Sequence, residues 1–493
     1  MRQEGAQAQG ASASFIEIAQ QLMQPAMALA ATAGIAPPAA PAAMNLPVLL
    51  QQQQQQQRSL RLVSFTADLP GMPGMLAALP AHSLTRLQLD FWASAKFSGA
   101  RLAADLARLS NLQQLSLTKE QGKAGGIPTS CLDGVAQLTR LSHLSLGGQW
   151  CGGQQPLQQF LARPLPLQQL QLNLGMRLPV LDLTRCSQLR GLTINAYFGV
   201  PEGSALPQQL QRLELVSRSS RGDAVAELQL LQLQQLQHLR LDTPMKASSL
   251  QDLSQLQSLQ HVALGYNHAR AAQEVALSWA LVPQLRELKV LTGCCSEEEH
   301  MDTILQGIGA CNALTKLQLQ VYAVRVEQHD SDDDSEDEGN VMRTVHMPAC
   351  SMLARLTTLQ DLCLHSPSSL AEGDALQLTA LTNLTRPVLG GLGAGVGELA
   401  ANALACSLKQ LRHLDLQRCN LGSMSCLAAI AHLQQLTELR LEHNSGLTRQ
   451  GLMLLTRLSN LPQLSTDEAA GESITSCAWA EFWAAVRTQR RAF

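Results

Sequence analysis

A seven-residue string with leucine at its second, fifth and seventh positions recurs along most of this chain, and it restricts the possible folds more tightly than any other feature. Clear copies open at Leu84 (SLTRLQL), Leu112 (NLQQLSL), Leu141 (RLSHLSL), Leu167 (PLQQLQL), Leu210 (QLQRLEL), Leu236 (QLQHLRL), Leu314 (ALTKLQL), Leu359 (TLQDLCL), Leu411 (QLRHLDL) and Leu436 (QLTELRL). Looser copies open at Leu60 (SLRLVSF), Leu189 (QLRGLTI), Leu259 (SLQHVAL), Leu285 (QLRELKV), Leu384 (NLTRPVL) and Leu461 (NLPQLST), about sixteen in all. Most starts lie 21 to 29 residues apart, the period at which a strand and a helical or 3₁₀ turn make one coil of a stacked repeat. The alternating tail of each string is a strand whose later leucines point the same way. Between strands the apolar spacing changes to threes and fours, as at Leu102, Leu106 and Leu109 or Leu427, Ile430 and Leu433, which marks a helical side with one apolar stripe. One coil cannot bury that stripe alone, so stability has to come from stacking. Sixteen strands at about 4.8 Å spacing make a sheet on the order of 75 Å long.

Bulk properties narrow the function classes. Aromatics are only 3% of the residues, consistent with a core that stacks one aliphatic side chain many times. The net charge of −3 and a pI near 6.5 supply no global positive field for a nucleic-acid backbone, so no nucleic-acid partner is expected. The twelve cysteines contain no CxxC pair and read as reduced, mostly buried thiols. The apolar stretch from Ala26 to Ala36 follows acidic Glu4 and Glu17 and runs into Pro37, Pro38 and Pro41, unlike a secretory signal. No stretch offers the roughly 20 apolar residues of a membrane helix. A cytoplasmic protein is expected, with no membrane partner.

The strings identify the chain as similar to the leucine-rich-repeat superfamily over roughly Leu60 to Leu464. That resemblance implies an α/β fold: a right-handed horseshoe solenoid with a parallel concave sheet and a helical or 3₁₀ convex side. The Asn or Cys that such repeats carry three residues after the last leucine stands here as Cys419, Asn444 and Asn267, but the same position holds Trp92, Glu120, Gln149 and Arg218 in other coils. The coils from Leu411 to Leu455 resemble the ribonuclease-inhibitor type. Near Leu178 to Cys186 the string LPVLDLTRC offers a competing copy, and the register there and over 384–398 stays open.

Residues 59–466 are therefore expected to form the solenoid. Residues 1–58, rich in Ala, Gln and Pro and ending in the glutamines Gln51 to Gln57, cannot bury enough apolar surface to offset chain entropy and are expected to be disordered. Residues 467–493 carry Ile474, Trp479, Phe482, Trp483 and Val486 at helical spacing and are expected to cap the last coil. The interval between Leu314 and Leu359 holds an extra loop, 323–348, with SDDDSEDE from Ser331 to Glu338. Ser331 and Ser335 each precede an acidic residue by three positions, a pattern an acidophilic kinase would phosphorylate, deepening the negative charge.

Strand alternation turns a candidate partner-binding set onto the concave face: His143, Arg212, His238, Arg240, Asp242, His261, His413, Asp415, Glu438, Arg440 and Glu442. Signs are mixed and aromatics are missing, which favours distributed recognition of a protein and argues against base stacking. His238 and His261 fall at equivalent positions of successive coils, about 5 Å apart, with no adjacent Asp or Glu forming a convincing ligand set, so no metal site is expected. Cys363, His365 and His413 can be drawn as nucleophile and base but read as three unconnected polar positions. The chain has no GxxxxGK[ST], HExxH or GxSxG motif, and no catalytic residue or cofactor is expected. The glycines from Gly390 to Gly397 lack GxGxxG spacing and read as a loosened coil. The function expected is a non-enzymatic scaffold for a protein partner, of the kind related proteins supply to cytoskeletal or ciliary assemblies; the alanine and glutamine tracts resemble those of green-algal proteins. The alternative is the substrate-recognition subunit of an SCF-type ubiquitin ligase. Leu46, Pro47 and SLRLVS (Ser59 to Ser64) resemble the ends of an F-box, but the residues between are too few for its helices.

Overall fold

The computed structural model describes residues 62–492 except 70–74, 92–97, 120–125, 176, 197–199, 202, 218–229, 243–251, 267–278, 280–281, 294–297, 323–348, 366–369 and 467–475. The expected segment 1–58, the acidic loop 323–348 and the positions Trp92, Glu120, Arg218 and Asn267 thus lie outside the described residues.

Sixteen strands follow chain order in one sheet. They are β1 (Ser64–Leu69), β2 (Arg86–Phe91), β3 (Gln114–Lys119), β5 (His143–Gly148), β7 (Gln169–Leu174), β8 (Gly191–Ala196), β9 (Arg212–Ser217) and β10 (His238–Asp242). The sheet continues through β11 (His261–Tyr266), β12 (Glu287–Gly293), β13 (Lys316–Tyr322), β14 (Asp361–His365), β15 (Arg386–Val388), β16 (His413–Asp415), β17 (Glu438–Arg440) and β18 (Gln463–Ser465). Every neighbouring pair is parallel; β2 joins β3, for example, through Arg86 opposite Gln114, and β16 joins β17 through His413 opposite Glu438. The short β4 (Ile127–Pro128) and β6 (Trp150–Cys151) pair with each other in a separate ribbon.

Every copy but the first begins its strand two residues after its opening leucine. In the first, Ser64 lies opposite Arg86, so Leu62 and not Leu60 takes the place of Leu84. A shift of two residues leaves every side chain on its own face, so both registers satisfy the alternation. The competing string at Leu178 to Cys186 stays out of the main sheet. It buries Leu178, Leu181, Leu183 and Cys186 but makes only an isolated bridge from Asp182 to Ala205. The strand of that coil is β8, whose opening Leu189 stands at a regular interval from both neighbours.

The inward leucines, such as Leu87 and Leu89 of β2 or Leu414 and Leu416 of the β16 coil, are 2% exposed or less and belong to one continuous core. Successive coils are also tied at the start of each strand from β2 to β17. Two consecutive amides share one carbonyl of the coil before: Gln113 and Gln114 both donate to the Thr85 carbonyl, and Thr437 and Glu438 both donate to the Arg412 carbonyl.

The other side carries short helices of differing length. Gly99–Ala107 buries Leu102 and Leu106. Met424–Ile430 starts where the Ser423 hydroxyl accepts the Cys426 amide, and Arg449–Leu454 starts where the Thr448 hydroxyl accepts the Gly451 amide, as helix N-caps do. Gly134, in the helix Leu132–Val135, faces the Ala103 carbonyl so closely that any Cβ there would collide with it. The best-formed coils carry a buried polar clamp. Asn444 accepts the amides of Cys419 and Leu421 at 3.1 and 2.9 Å and donates to the carbonyls of Leu416 and Leu441 at 2.8 and 2.9 Å. The Cys419 thiol donates to the carbonyls of Leu389 and Gln417.

β15 is short because Pro387, opposite Leu362, has no amide to give the ladder; only Val388 pairs onward, with Asp415. The glycines that follow include Gly391, Gly393 and Gly397 at positive φ and lead into the helix Gly397–Ser407. After β18, the helix Ser476–Ala492 packs Phe482 and Val486 into the core, with Trp479 and Trp483 beside them. Its Glu481 pairs with Arg449 at 2.5 Å.

Candidate functional site

Because side chains alternate along a strand, the odd positions of every strand line the open face of the sheet in columns. The N-terminal part of that face is a trough of about 690 Å³ spanning β1 to β9, lined mainly by uncharged groups such as Gln88, Gln114, Ser116, Ser145, Gln171 and Thr193. His143 stands in it with Nδ1 2.8 Å from the Ser142 hydroxyl. Thr118 hydrogen-bonds Asp90 across the same face.

From β9 onward the face becomes ionic. Arg212 pairs with Glu214 at 2.5 Å and Arg240 with Asp242 at 2.6 Å. His238 and His261 stack with ring centroids 3.9 Å apart and planes 12° from parallel, tighter than equivalent strand positions alone would place them. The sequence pattern set no convincing carboxylate beside this pair; the structure supplies one. Glu287 on β12 receives His261 Nδ1 at 2.9 Å through one oxygen and Lys316 of β13 at 2.6 Å through the other. Burial pushes the Glu287 carboxyl up, but these two partners outweigh it and hold it below its ordinary value. His238 is held down first by burial, then by the charges of His261 and Arg212. Nearly parallel rings send their in-plane lone pairs side by side and do not converge them on one ion, and among the described residues no group of three or more His, Cys, Asp and Glu is placed to hold a metal.

At the C-terminal end, His413 Nδ1 lies 2.8 Å from Glu438 Oε2, and Arg440 binds Glu438 Oε1 at 2.8 Å. Burial works against the Glu438 charge, yet His413 and Arg440 keep its carboxyl below the usual range. Asp415 goes the other way: burial raises it, and the Gln417 amide and Arg440 only partly offset that. Glu442 stands half-buried beyond Arg440 on the same coil.

Cys363 Sγ lies 3.0 Å from His365 Nδ1, a contact within one strand. Burial pushes this thiol up to about 11, so it stays protonated at neutral pH and offers no thiolate nucleophile; His413 lies two strands away, occupied by Glu438. Burial also pushes Cys131, Cys419 and Cys426 up to about 12, and the nine cysteines whose side chains are described are free thiols. Ser331 and Ser335 lie outside the described residues. Among the described residues no helix is long and apolar enough to cross a membrane.

An in-register parallel sheet of sixteen strands, one per leucine string, is an α/β solenoid built of leucine-rich coils. No family model matches the chain, and no curated protein matches it. Among solved structures it is similar to a leucine-rich-repeat protein of Leptospira interrogans, with 16% identity and a TM-score of 0.43 over 87% of this chain and 100% of that one. The assignment rests on this chain's own repeat and sheet.

Proposed function

We propose that this chain is a non-enzymatic scaffold that takes a protein partner on the open face of its sheet, through His143, Arg212, His238, Arg240, Asp242, His261, His413, Asp415, Glu438, Arg440 and Glu442. The observation that carries this reading is the graded surface: a trough over β1 to β9 lined mainly by uncharged groups passes into rows of ion pairs over β9 to β17. Mixed polar side chains at strand spacing suit many distributed contacts and give register through charge more than raw affinity. No cofactor enters this reading, and neither nucleic acid nor membrane is its partner.

The setting we infer is a cytoplasmic cytoskeletal or ciliary assembly, supported by composition alone, ahead of an SCF-type ligase subunit. Phosphorylation of Ser331 and Ser335 in the acidic loop would add a second, Arg-seeking surface. The test is affinity purification of the tagged chain from its own cells, beside Arg240→Glu and Arg440→Glu variants with unchanged circular dichroism. Loss of the same partner from both variants supports the open face; retention by both sinks it. Recovery of cullin-adaptor proteins that vanish on removal of residues 1–58 would favour the ligase.

A further inference from the structure

Midway along the open face two titratable rings lie closer together than two charges tolerate. His238 and His261 stand opposite each other on β10 and β11, with ring centroids 3.9 Å apart and planes 12° from parallel. Both are half-buried. The reverse side of their strands presents the buried Leu239, Leu241, Val262 and Leu264, so no charge answers them from beneath.

Their surroundings on the open face are unequal. His261 has Glu287 of β12 on its Nδ1 at 2.9 Å, and the same carboxylate takes Lys316 of β13 at 2.6 Å; Lys289 stands two residues further along β12. His238 faces Arg212 on β9, whose guanidinium is held by Glu214, and on its own strand Arg240 is held by Asp242. His238 itself makes no hydrogen bond or ion pair among the described residues. A first proton on the pair is therefore matched by Glu287. A second has to enter a ring set between an imidazolium and a guanidinium. Like charges at this range disfavour the charged form and split the titration of a pair into two steps. Burial, then the charges of His261 and Arg212, hold His238 below its ordinary value of 6.5, which puts the second step in mildly acidic solution.

We infer that this stack is a proton-operated latch: it stays closed while the pair carries at most one proton, and the second drives the His238 ring out and reshapes the open face between β9 and β12. The inference rests on the reading of that face as the partner surface, and it gives the surface a regulation. A partner seated across β9 to β12 is held near neutral pH and released on acidification.

The test is NMR of the full chain carrying 13C-labelled histidine, titrated from about pH 8 to about pH 5, with His238→Gln and His261→Gln assigning the two rings. Two steps at least about one unit apart are expected, and the ring-to-ring Overhauser contact between His238 and His261 disappears across the second. In His261→Gln, His238 is expected to titrate closer to 6.5. A single shared step, no second step above pH 5, or a contact that survives both protons overturns the latch. The binding arm repeats the affinity purification with washes at pH 7.5 and pH 5.5. A partner that Arg240→Glu loses is expected to fall about tenfold at the lower pH on the unchanged chain and to stay on His238→Gln. Equal retention at both pH values, or an equal fall on His238→Gln, overturns the regulation and leaves the open-face reading standing. A partner kept by Arg240→Glu and Arg440→Glu alike sinks that reading, while the titration still judges the latch.

Discussion

Asn444 shows how much one side chain can hold when a solenoid buries its turn. It alone satisfies the amides of Cys419 and Leu421 and the carbonyls of Leu416 and Leu441. Asn444→Ala strands these groups in an apolar interior, and a loss of about 2–4 kcal/mol is expected, read as an earlier chemical-denaturation midpoint for the C-terminal coils. Its partner Cys419 and the residue itself were legible in the sequence, since both stand three residues after the last leucine of an LxxLxL string. Asp415 was legible as an outward residue but not as a strained one, because its burial depends on Arg440 and on the coil carrying Gly390. Its raised carboxyl binds a proton more tightly folded than unfolded, so it takes stability away as pH rises above the ordinary value of 3.8, and the full penalty is present at neutral pH. Asp415→Asn is therefore expected to melt about 1–2 °C higher at pH 7.5, with the gap narrowing toward pH 4.5; a gap independent of pH would refute the assignment.

At the scale of elements, strands were far easier to read than the segments joining them. The strand string repeats because every coil must offer two leucines to the same core at the same register. The connecting side tolerates anything from a 3₁₀ turn such as Asp252–Gln255 to the twelve-residue helix Glu298–Gly309, since it need only bury a stripe. What fixes that side is close contact between neighbours that no single-coil pattern displays. Gly134 is the clearest case: a methyl group there strikes the Ala103 backbone carbonyl, which cannot move aside as a flexible side chain would. Gly134→Ala is expected to cost about 1–3 kcal/mol despite its higher helix propensity, whereas a mere propensity effect would stabilise. At the far end, Phe482 is 0% exposed in the helix after β18. Phe482→Ala should cost about 3–5 kcal/mol if that helix shields the last coil; a change under 1 kcal/mol would mean it packs there without supporting the array.

A molecule built this way answers damage locally. Each coil touches only its neighbours, as the unbroken chain order of the sheet shows, so stability is close to a sum of coil terms and nearest-neighbour interfaces. The charge gradient along the face could not be foreseen from composition, where a near-neutral total hides a mainly uncharged trough at one end and rows of ion pairs at the other. The same modularity separates the two kinds of lesion discussed above. Hydrogen exchange by mass spectrometry on Asn444→Ala should show faster exchange in the β15 to β18 coils and none in β2 to β8, because no shared helix or cross-sheet strand carries the loss further. Gly134→Ala should give the mirror pattern, with β3 and β5 affected and β16 to β18 untouched. Uniform acceleration along all sixteen strands by either variant would mean that the array opens as a single cooperative unit, and the coil-by-coil account of its stability would have to be abandoned.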